Sequence, residues 1–356
     1  MVYIRALLLP FSLLYGLAVW IRNRLYDWGW MKATVFNKPV IVVGNLAVGG
    51  TGKSPMTEYL VRLLNGRYRV ATLSRGYGRQ TRGFLEVHAD STAEQCGDEP
   101  LQFKRKFPHV AVAVDENRVH GVRRLFQGGH EVILLDDAYQ HRALRPGFAI
   151  LLFDYRSMDQ PKWLLPAGNY RDSFGERRRA DLVIVTKTPP TATEAAKERI
   201  RRSLDTGRQI PVLFSAIHYG PLVPLSPDRH PKEARLSRDH TVLLVTGIAN
   251  PTSLCDYLQN RVKKMIHLRY PDHHPYTPET LQTITSRFHG IGNPSKFIVT
   301  TEKDAQRLLT PALATQLTDL PIYIIPIQAQ FSEPDERILQ RMILQYCAIT
   351  LGTDPV

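Results

Sequence analysis

A chain of 356 residues, 43% of them hydrophobic, can bury a substantial core and suggests two domains. Its formal charge of +13 points to an anionic partner: nucleic acid, an anionic membrane or a phosphorylated substrate. The three scattered cysteines (Cys96, Cys255, Cys347) form no metal-binding spacing and fit a reducing cytosol better than a disulfide framework.

The first predicted element is the uncharged run Ala6 to Ile21, "ALLLPFSLLYGLAVWI", with Arg5 before it and Arg22 and Arg24 after it. With Pro10 and Gly16 inside, it is short for a bilayer span. No small-residue cleavage site follows, which argues against a signal peptide. Bulky apolar and aromatic residues flanked by arginines predict an interfacial helix lying among headgroups. A buried helix packed on the core is the alternative.

Next comes "KPVIVVGN", a continuous apolar strand that runs into "LAVGGTGKSP". Gly49, Gly50 and Gly52 allow backbone N–H groups to turn around phosphate oxygens. Lys53 can then reach the β- and γ-phosphates, and the Ser54 hydroxyl can ligate Mg²⁺. Ala47 departs from the usual first glycine of this loop, and Pro55 falls early in the helix, where its missing N–H is tolerated. Further strands follow in "YRVATLS", "HVAVAV", "EVILLDD", "FAILLFD" and "ADLVIVTK", separated by helix-like segments. Such alternation predicts a parallel sheet covered on both faces.

Chemistry-bearing residues stand after or between these strands. "LSRGYGR" carries Arg75, Tyr77 and Arg79; "CGDEP" carries Asp98 and Glu99; "VDENRVHG" carries Arg118. Arginines at the binding edge of a parallel sheet suit anionic oxygens. Asp136 and Asp137 end an apolar strand, where adjacent like charges favour a shared cation. Asp172, in "LLPAGNYRDS", is a further acidic candidate.

A charged helix is predicted from Pro189 to about Ile210, then a proline-rich crossover, then a second strand–helix alternation. The second unit contains "RYPDHHPYT", with Asp272, His273 and His274 adjacent but no third metal ligand at a usual spacing. A histidine here could orient a carboxylate, or accept a proton from it, across a cleft. The predicted division is 1–30 membrane-associating segment, 31–210 phosphate-loop domain, 211–240 linker, 241–330 smaller α/β domain and 331–356 helical tail.

The set "GNLAVGGTGKSP", "SRGYGR", "GDEP", "LDDAYQHR", "LLPAGNYRD", "DHHPY" and "TTEKDA", in this order, resembles the tetraacyldisaccharide 4′-kinase family of lipid A synthesis. The resemblance spans about Ile4 to Ile327. It implies an α/β fold: a P-loop NTPase-like parallel sheet flanked by helices, with a second smaller α/β domain. It also implies a kinase at the cytoplasmic face of the bacterial inner membrane, peripheral or monotopic. Such an enzyme moves the γ-phosphoryl of ATP, with Mg²⁺, onto the 4′-hydroxyl of a tetraacylated disaccharide 1-phosphate, giving lipid IVA.

By the same resemblance Asp98 is the base and His273 its assistant, with Lys53 and Asp137 also catalytic. Asn45, Gly49, Gly50, Thr51, Gly52, Lys53 and Ser54 would hold the nucleotide. Ser54, Asp136, Asp137 and Asp172 would hold the metal, although the family's usual glutamate is Asp172 here. Its P-L-R is here Asn169-Tyr170-Arg171. Arg75, Tyr77, Glu99, Arg118, Gln140, His141 and Arg171 would meet the lipid A disaccharide precursor. The implied partners are that lipid and an anionic membrane surface, with no nucleic acid and no obligate protein.

A rival reading is the deviant phosphate loop of partitioning and division-site ATPases. Their loop carries a lysine near its start, and Asn45-Leu46-Ala47-Val48 has none. A nucleic-acid-binding ATPase lacks support, since no basic–aromatic stripe is present.

Overall fold

A computed structural model describes residues 7–226, 234–310, 313, 316–317 and 319–354. The first part of the chain folds as α1 (Leu9–Asp27), β1 (Val40–Asn45), α2 (Lys53–Leu64), β2 (Val70–Ser74), β3 (Leu85–Glu86), α3 (Ala93–Cys96), α4 (Asp98–Lys106), β4 (Ala111–Val114), α5 (Arg118–Gln127), β5 (Val132–Asp136), β6 (Phe148–Asp154), β7 (Leu182–Thr186), α6 (Glu194–Leu204) and β8 (Val212–Tyr219). The second part supplies β9 (Val223–Pro224), β10 (Thr241–Thr246), α7 (Thr252–Gln259), β11 (Lys264–Arg269), α8 (Pro278–His289), β12 (Lys296–Thr301), α9 (Glu302–Leu308), β13 (Ile322–Ile325), β14 (Ile327–Phe331) and α10 (Glu333–Leu351).

Every residue of β1 is buried, as are those of β5 and β7, because helices cover both faces of the sheet. Val40, Val42, Ile133 and Leu135 pack on one side, and Ile41, Val43, Leu134, Met56 and Leu60 on the other. Each fully buried aliphatic side chain contributes about 1.5–3 kcal/mol relative to exposure. The strand order among the described residues is β14-β8-β7-β6-β1-β5-β2-β4-β3. The strands from β8 to β4 run parallel, and only the edge strands β14 and β3 are antiparallel to their neighbours. A parallel sheet gathers the carboxyl ends of its strands along one edge, where ligands bind. Register places β1 beside β5, with Val43 opposite Asp136, so the glycine-rich loop and the acidic pair leave the sheet side by side.

The second sheet has the order β11-β10-β12-β13-β9 and its own apolar layers. The chain crosses between the sheets twice, from β8 to β9 and from β13 to β14. The crossings lie together, with Gly220 N donating to Pro326 O at 2.9 Å.

Two stretches sit elsewhere than their composition suggested. Val212–Tyr219, expected within a 211–240 linker, is a strand of the first sheet, and Ile327–Phe331 returns to pair with it. Their mixed exposure explains the misreading, since an edge pair need not be uniformly apolar. The expected charged helix is also shorter, Glu194–Leu204. Residues 227–233 of the expected linker, the first six residues and the last two lie outside the described ones. The tail helix α10 packs Leu339, Ile343 and Cys347 onto the first sheet.

Candidate active site

The turn after β1 is built for close approach. Gly49 (φ 106°) and Gly52 (φ 83°) adopt left-handed backbone that a side chain would strain. Gly52 also caps α2 without any side-chain hydrogen bond, so the first N–H groups of that helix face the turn uncapped. Pro55 lies in the first helical turn, where its missing N–H costs nothing. Asn45 Nδ2 donates to Thr51 Oγ1 at 2.7 Å, and Thr186 Oγ1 donates to Thr51 O at 2.8 Å. These bonds fix the turn to the ends of β1 and β7.

The neighbouring aspartates are held in opposite ways. Asp137 (φ 52°) receives a two-pronged contact from Arg171, at 2.7 and 3.1 Å, and has Lys53 Nζ at 3.8 Å. Burial works against its charge, yet Lys53 and Arg171 bring its pKa below the ordinary value. Asp136 is buried and Glu99 adds repulsion, which together push its pKa up to about 7. Its Oδ1 is buried with no donor within reach. An acceptor left over in a buried acidic pair fits a cation. Ser54 is close by, because its Oγ donates to Glu99 Oε1 at 3.4 Å. Among the described residues no three His, Cys, Asp or Glu side chains form a complete protein cage. Mg²⁺ does not require one, since it is held by one or two carboxylates together with phosphates and water.

The second domain approaches this edge through two elements. His273 (φ 57°), on the loop after β11, brings Nδ1 to 3.3 Å from Asp98 Oδ2. The Asp98 contact raises the His273 pKa, against a smaller opposing effect of burial. Gly97 (φ 94°) makes the turn into α4, and a Cβ there would lie 2.9 Å from Tyr77 O. The Tyr77 ring lies 5.3 Å from the His273 ring, centroid to centroid. His274 instead stacks on Tyr270, 4.5 Å away, inside the second domain. Helix α9 supplies Lys303, paired with Glu99, and Arg307, whose Nε lies 3.2 Å from Asp98 Oδ2. Burial opposes the Lys303 charge, but Glu99 and Asp136 hold its pKa above the ordinary value.

A basic cluster borders the acidic pair. Arg118 is buried and donates to Asp115 O and Glu116 O, and its Nε has no partner. Burial and nearby Arg75 depress its pKa to about 10. His141 is depressed to about 4 by burial, then by Arg118 and Arg75. Two cations and a neutral imidazole with a buried unpartnered Nε2 suit an anionic group.

Some expected residues stand elsewhere. Asp172, expected at the metal, is 0% exposed and both oxygens are engaged. Oδ1 accepts from Asn23 Nδ2 and Ser173 N at 2.9 Å each, and Oδ2 lies 3.4 Å from Arg22 and 3.9 Å from Arg179. It anchors α1 rather than a cation. Glu99 accepts from Ser54 and pairs with Lys303. Gln140 donates to Asn45 O at 2.6 Å, and Arg171 also bonds Asn45 Oδ1, so both brace the turn. Arg79 pairs with Glu116.

Comparison with known proteins gives the arrangement a family. The model for LpxK, described as Tetraacyldisaccharide-1-P 4'-kinase, matches residues 4–347. The chain belongs to the tetraacyldisaccharide-1-phosphate 4′-kinase family. It is 42% identical over 349 residues to the tetraacyldisaccharide 4′-kinase of Flavobacterium johnsoniae, covering 96% of this chain and 97% of the relative. The corresponding protein of Phocaeicola vulgatus is 40% identical over 344 residues, covering 95% and 94%. The crystal structure of the "apo" form of LpxK from Aquifex aeolicus in complex with ATP matches with a TM-score of 0.71 at 28% identity, covering 96% of this chain and 99% of that one. The chain is therefore a lipid kinase with a P-loop NTPase-like fold, and it phosphorylates the 4′ position in lipid A biosynthesis.

Three residues of this 4′-kinase escaped sequence reasoning. Lys187 (φ 55°) contacts Gly50 O and pairs with Asp154 at 2.7 Å. Lys303 and Arg307 reach the site from the other domain. "TTEKDA" marked the region of Lys303, but nothing in it said that a helix there faces α4.

Proposed function

We propose that this 4′-kinase uses ATP and Mg²⁺, and that Asp98 accepts the proton of the 4′-hydroxyl with help from His273. The approach of His273 to Asp98 across the domain boundary, beside the glycine-rich turn, carries this reading. The turn and the uncapped start of α2 receive the triphosphate, and Lys53 compensates charge on its terminal phosphoryl group. The ATP bound by the Aquifex aeolicus relative supports that donor. Asp136 and Ser54 would hold Mg²⁺, with Asp137 beside them, and the ion would neutralise phosphate charge. Phosphoryl transfer needs mainly alignment and charge compensation. A carboxylate at the acceptor takes the proton as the new P–O bond forms. Arg118, Arg75 and His141 are suited to an anionic part of the lipid.

The same reading places the enzyme peripherally on the cytoplasmic face of the inner membrane. No described helix is long and apolar enough to cross a bilayer. Yet α1 and its continuation expose Phe11, Leu13, Leu14, Leu17, Trp20, Trp28 and Trp30 on one contiguous stretch. Such a surface, bordered by arginines, suits an anionic leaflet.

The test is direct. Purified protein, γ-labelled ATP, Mg²⁺ and the tetraacylated disaccharide 1-phosphate should give labelled lipid, with label at the 4′ position. Lys53→Ala should abolish most of it. Unlabelled lipid with the intact protein would reject the reading.

A further inference from the structure

Arg307 is almost wholly buried, and its guanidinium makes contacts in three directions. Nη1 donates to Gly247 O at 3.2 Å and to His274 O at 3.1 Å. Nη2 donates to Gly247 O at 3.2 Å and lies 3.2 Å from Asp304 Oδ1. Nε lies 3.2 Å from Asp98 Oδ2 across the domain boundary, an ion pair without hydrogen-bond geometry.

His274 O belongs to the loop that carries His273, and Gly247 O, after β10, lies against it. His273 N itself donates to Gly247 O at 3.1 Å. The His273 backbone is left-handed, with φ 57°, although the residue is not glycine. Such a conformation costs about 1–3 kcal/mol and persists only where the surroundings impose it. Arg307 thus holds the loop directly at His274 O and indirectly through Gly247 O, the acceptor it shares with His273 N.

Asp304 in turn fixes Arg307. It is 0% exposed and accepts from Gly247 N at 3.0 Å, Tyr276 Oη at 3.1 Å and Thr301 Oγ1 at 2.7 Å. This web lies inside the second domain. The contact of Arg307 outside that web is the ion pair with Asp98, at 3.2 Å from Nε. The His273 and Arg307 contacts both fall on Oδ2 of Asp98. Among the described residues no hydrogen bond falls on Oδ1, which is left to take a proton.

We propose that Arg307 is a positioning residue for phosphoryl transfer: one guanidinium fixes the His273 loop and orients the Asp98 carboxylate, so that the pair is assembled across the two domains. The inference rests on the reading of Asp98 and His273 as the proton-accepting pair. A planar guanidinium can donate to two carbonyls while its spread charge lies beside two carboxylates, which the compact ammonium of a lysine does less well.

The experiment compares Arg307→Met, Arg307→Lys, Asp98→Asn, His273→Ala and the double variant Arg307→Met/Asp98→Asn, each well below its melting temperature. Arg307→Met should lower kcat about 100-fold and Arg307→Lys about 10-fold, with KM for ATP within about threefold of the parent. The double variant should be no worse than Asp98→Asn alone. Should Arg307→Met fail to fold, the lysine variant decides the matter. A parent-like kcat in a folded Arg307 variant, or losses that add in log kcat to that of Asp98→Asn, would overturn the proposal. So would a drop in melting temperature with kcat per folded molecule unchanged. If Asp98→Asn and His273→Ala keep full kcat, the dyad reading itself falls. If they lose it while Arg307→Lys does not, only the role of Arg307 falls.

Discussion

Asp136 and Asp137 share a peptide bond but not an environment. Asp137 is neutralised by Lys53 and Arg171, whereas Asp136 faces Glu99 with one oxygen unpartnered. The raised folded pKa of Asp136, about 7, sets the sign of a stability effect. Its contribution is fully present below the unfolded value and is lost as pH rises through about 7. The metal-free protein should therefore weaken between pH 4 and pH 8 through this group. Asp136→Asn stays neutral, so without divalent cations it should melt ~3 °C or more above the parent at pH 8. The gap should shrink as pH falls and close near pH 4, at the unfolded value, and kinase activity should be nearly lost at any pH. Coincident melting curves at pH 8 would show that Asp136 carries no buried charge. The pair was legible from sequence because two acids ended an apolar strand. Asp172 was misread because a motif shows neighbours in the chain and not Asn23, which lies 149 positions away. Lys303 and Arg307 look like ordinary helix cations until α9 is seen against α4.

Among the elements, α1 has two distinct faces. The inner face is polar: Ser12 Oγ accepts from Ala167 N at 2.9 Å, Tyr15 Oη donates to Arg171 O at 2.8 Å, and Asn23 holds Asp172. The outer face is apolar, with Leu13 75% and Leu17 53% exposed. This inverts the usual surface helix and explains why the sequence left interfacial and buried placements both open. Deleting the helix would strip the loop bearing Arg171 of its supports. A cleaner probe is Leu13→Glu/Leu17→Glu, which spares every inner contact. Binding to anionic vesicles should fall about tenfold or more, because two apolar side chains lose their burial and two negative charges meet an anionic surface. Melting temperature and kcat on detergent-dispersed lipid should stay at parent values. Unchanged vesicle sedimentation would remove α1 from the membrane contact. The strands were the most legible elements, since β1, β5 and β7 are buried at every position. Strands β8 and β14 were not, because they form one border of the sheet and mix buried with exposed residues.

At the scale of the molecule, the site exists only where the two sheets' outer elements meet. Asp98 and His273 stand 175 positions apart, and their contact is one of several across α4 and α9. Lys106 bridges Glu58 and Glu302 at 2.7 and 2.5 Å, Arg105 donates to Gln306 at 2.6 Å, and Lys303 pairs with Glu99. Removing the aspartate or the histidine therefore leaves the domains in contact through other pairs. Two domains were legible from the repeated alternation of strands and helices. Their double crossing at Gly220 and Pro326 was not, because it depends on β14 returning to a sheet begun far earlier. The persistence of the other contacts makes a double-mutant cycle interpretable. Asp98→Ala and His273→Ala should each lower kcat by about 100-fold or more, with KM for ATP little changed. If the two act on one proton, the second loss should add almost nothing once the first is made. The double variant should then match the slower single one. Two independent contributions to binding or folding would instead give losses that sum in log kcat. His274→Ala is the internal comparison, because its ring stacks on Tyr270 away from Asp98. Its kcat should stay within about threefold of the parent. A cycle that sums, or a His274 variant as slow as the His273 one, would separate the proton-accepting role from this pair.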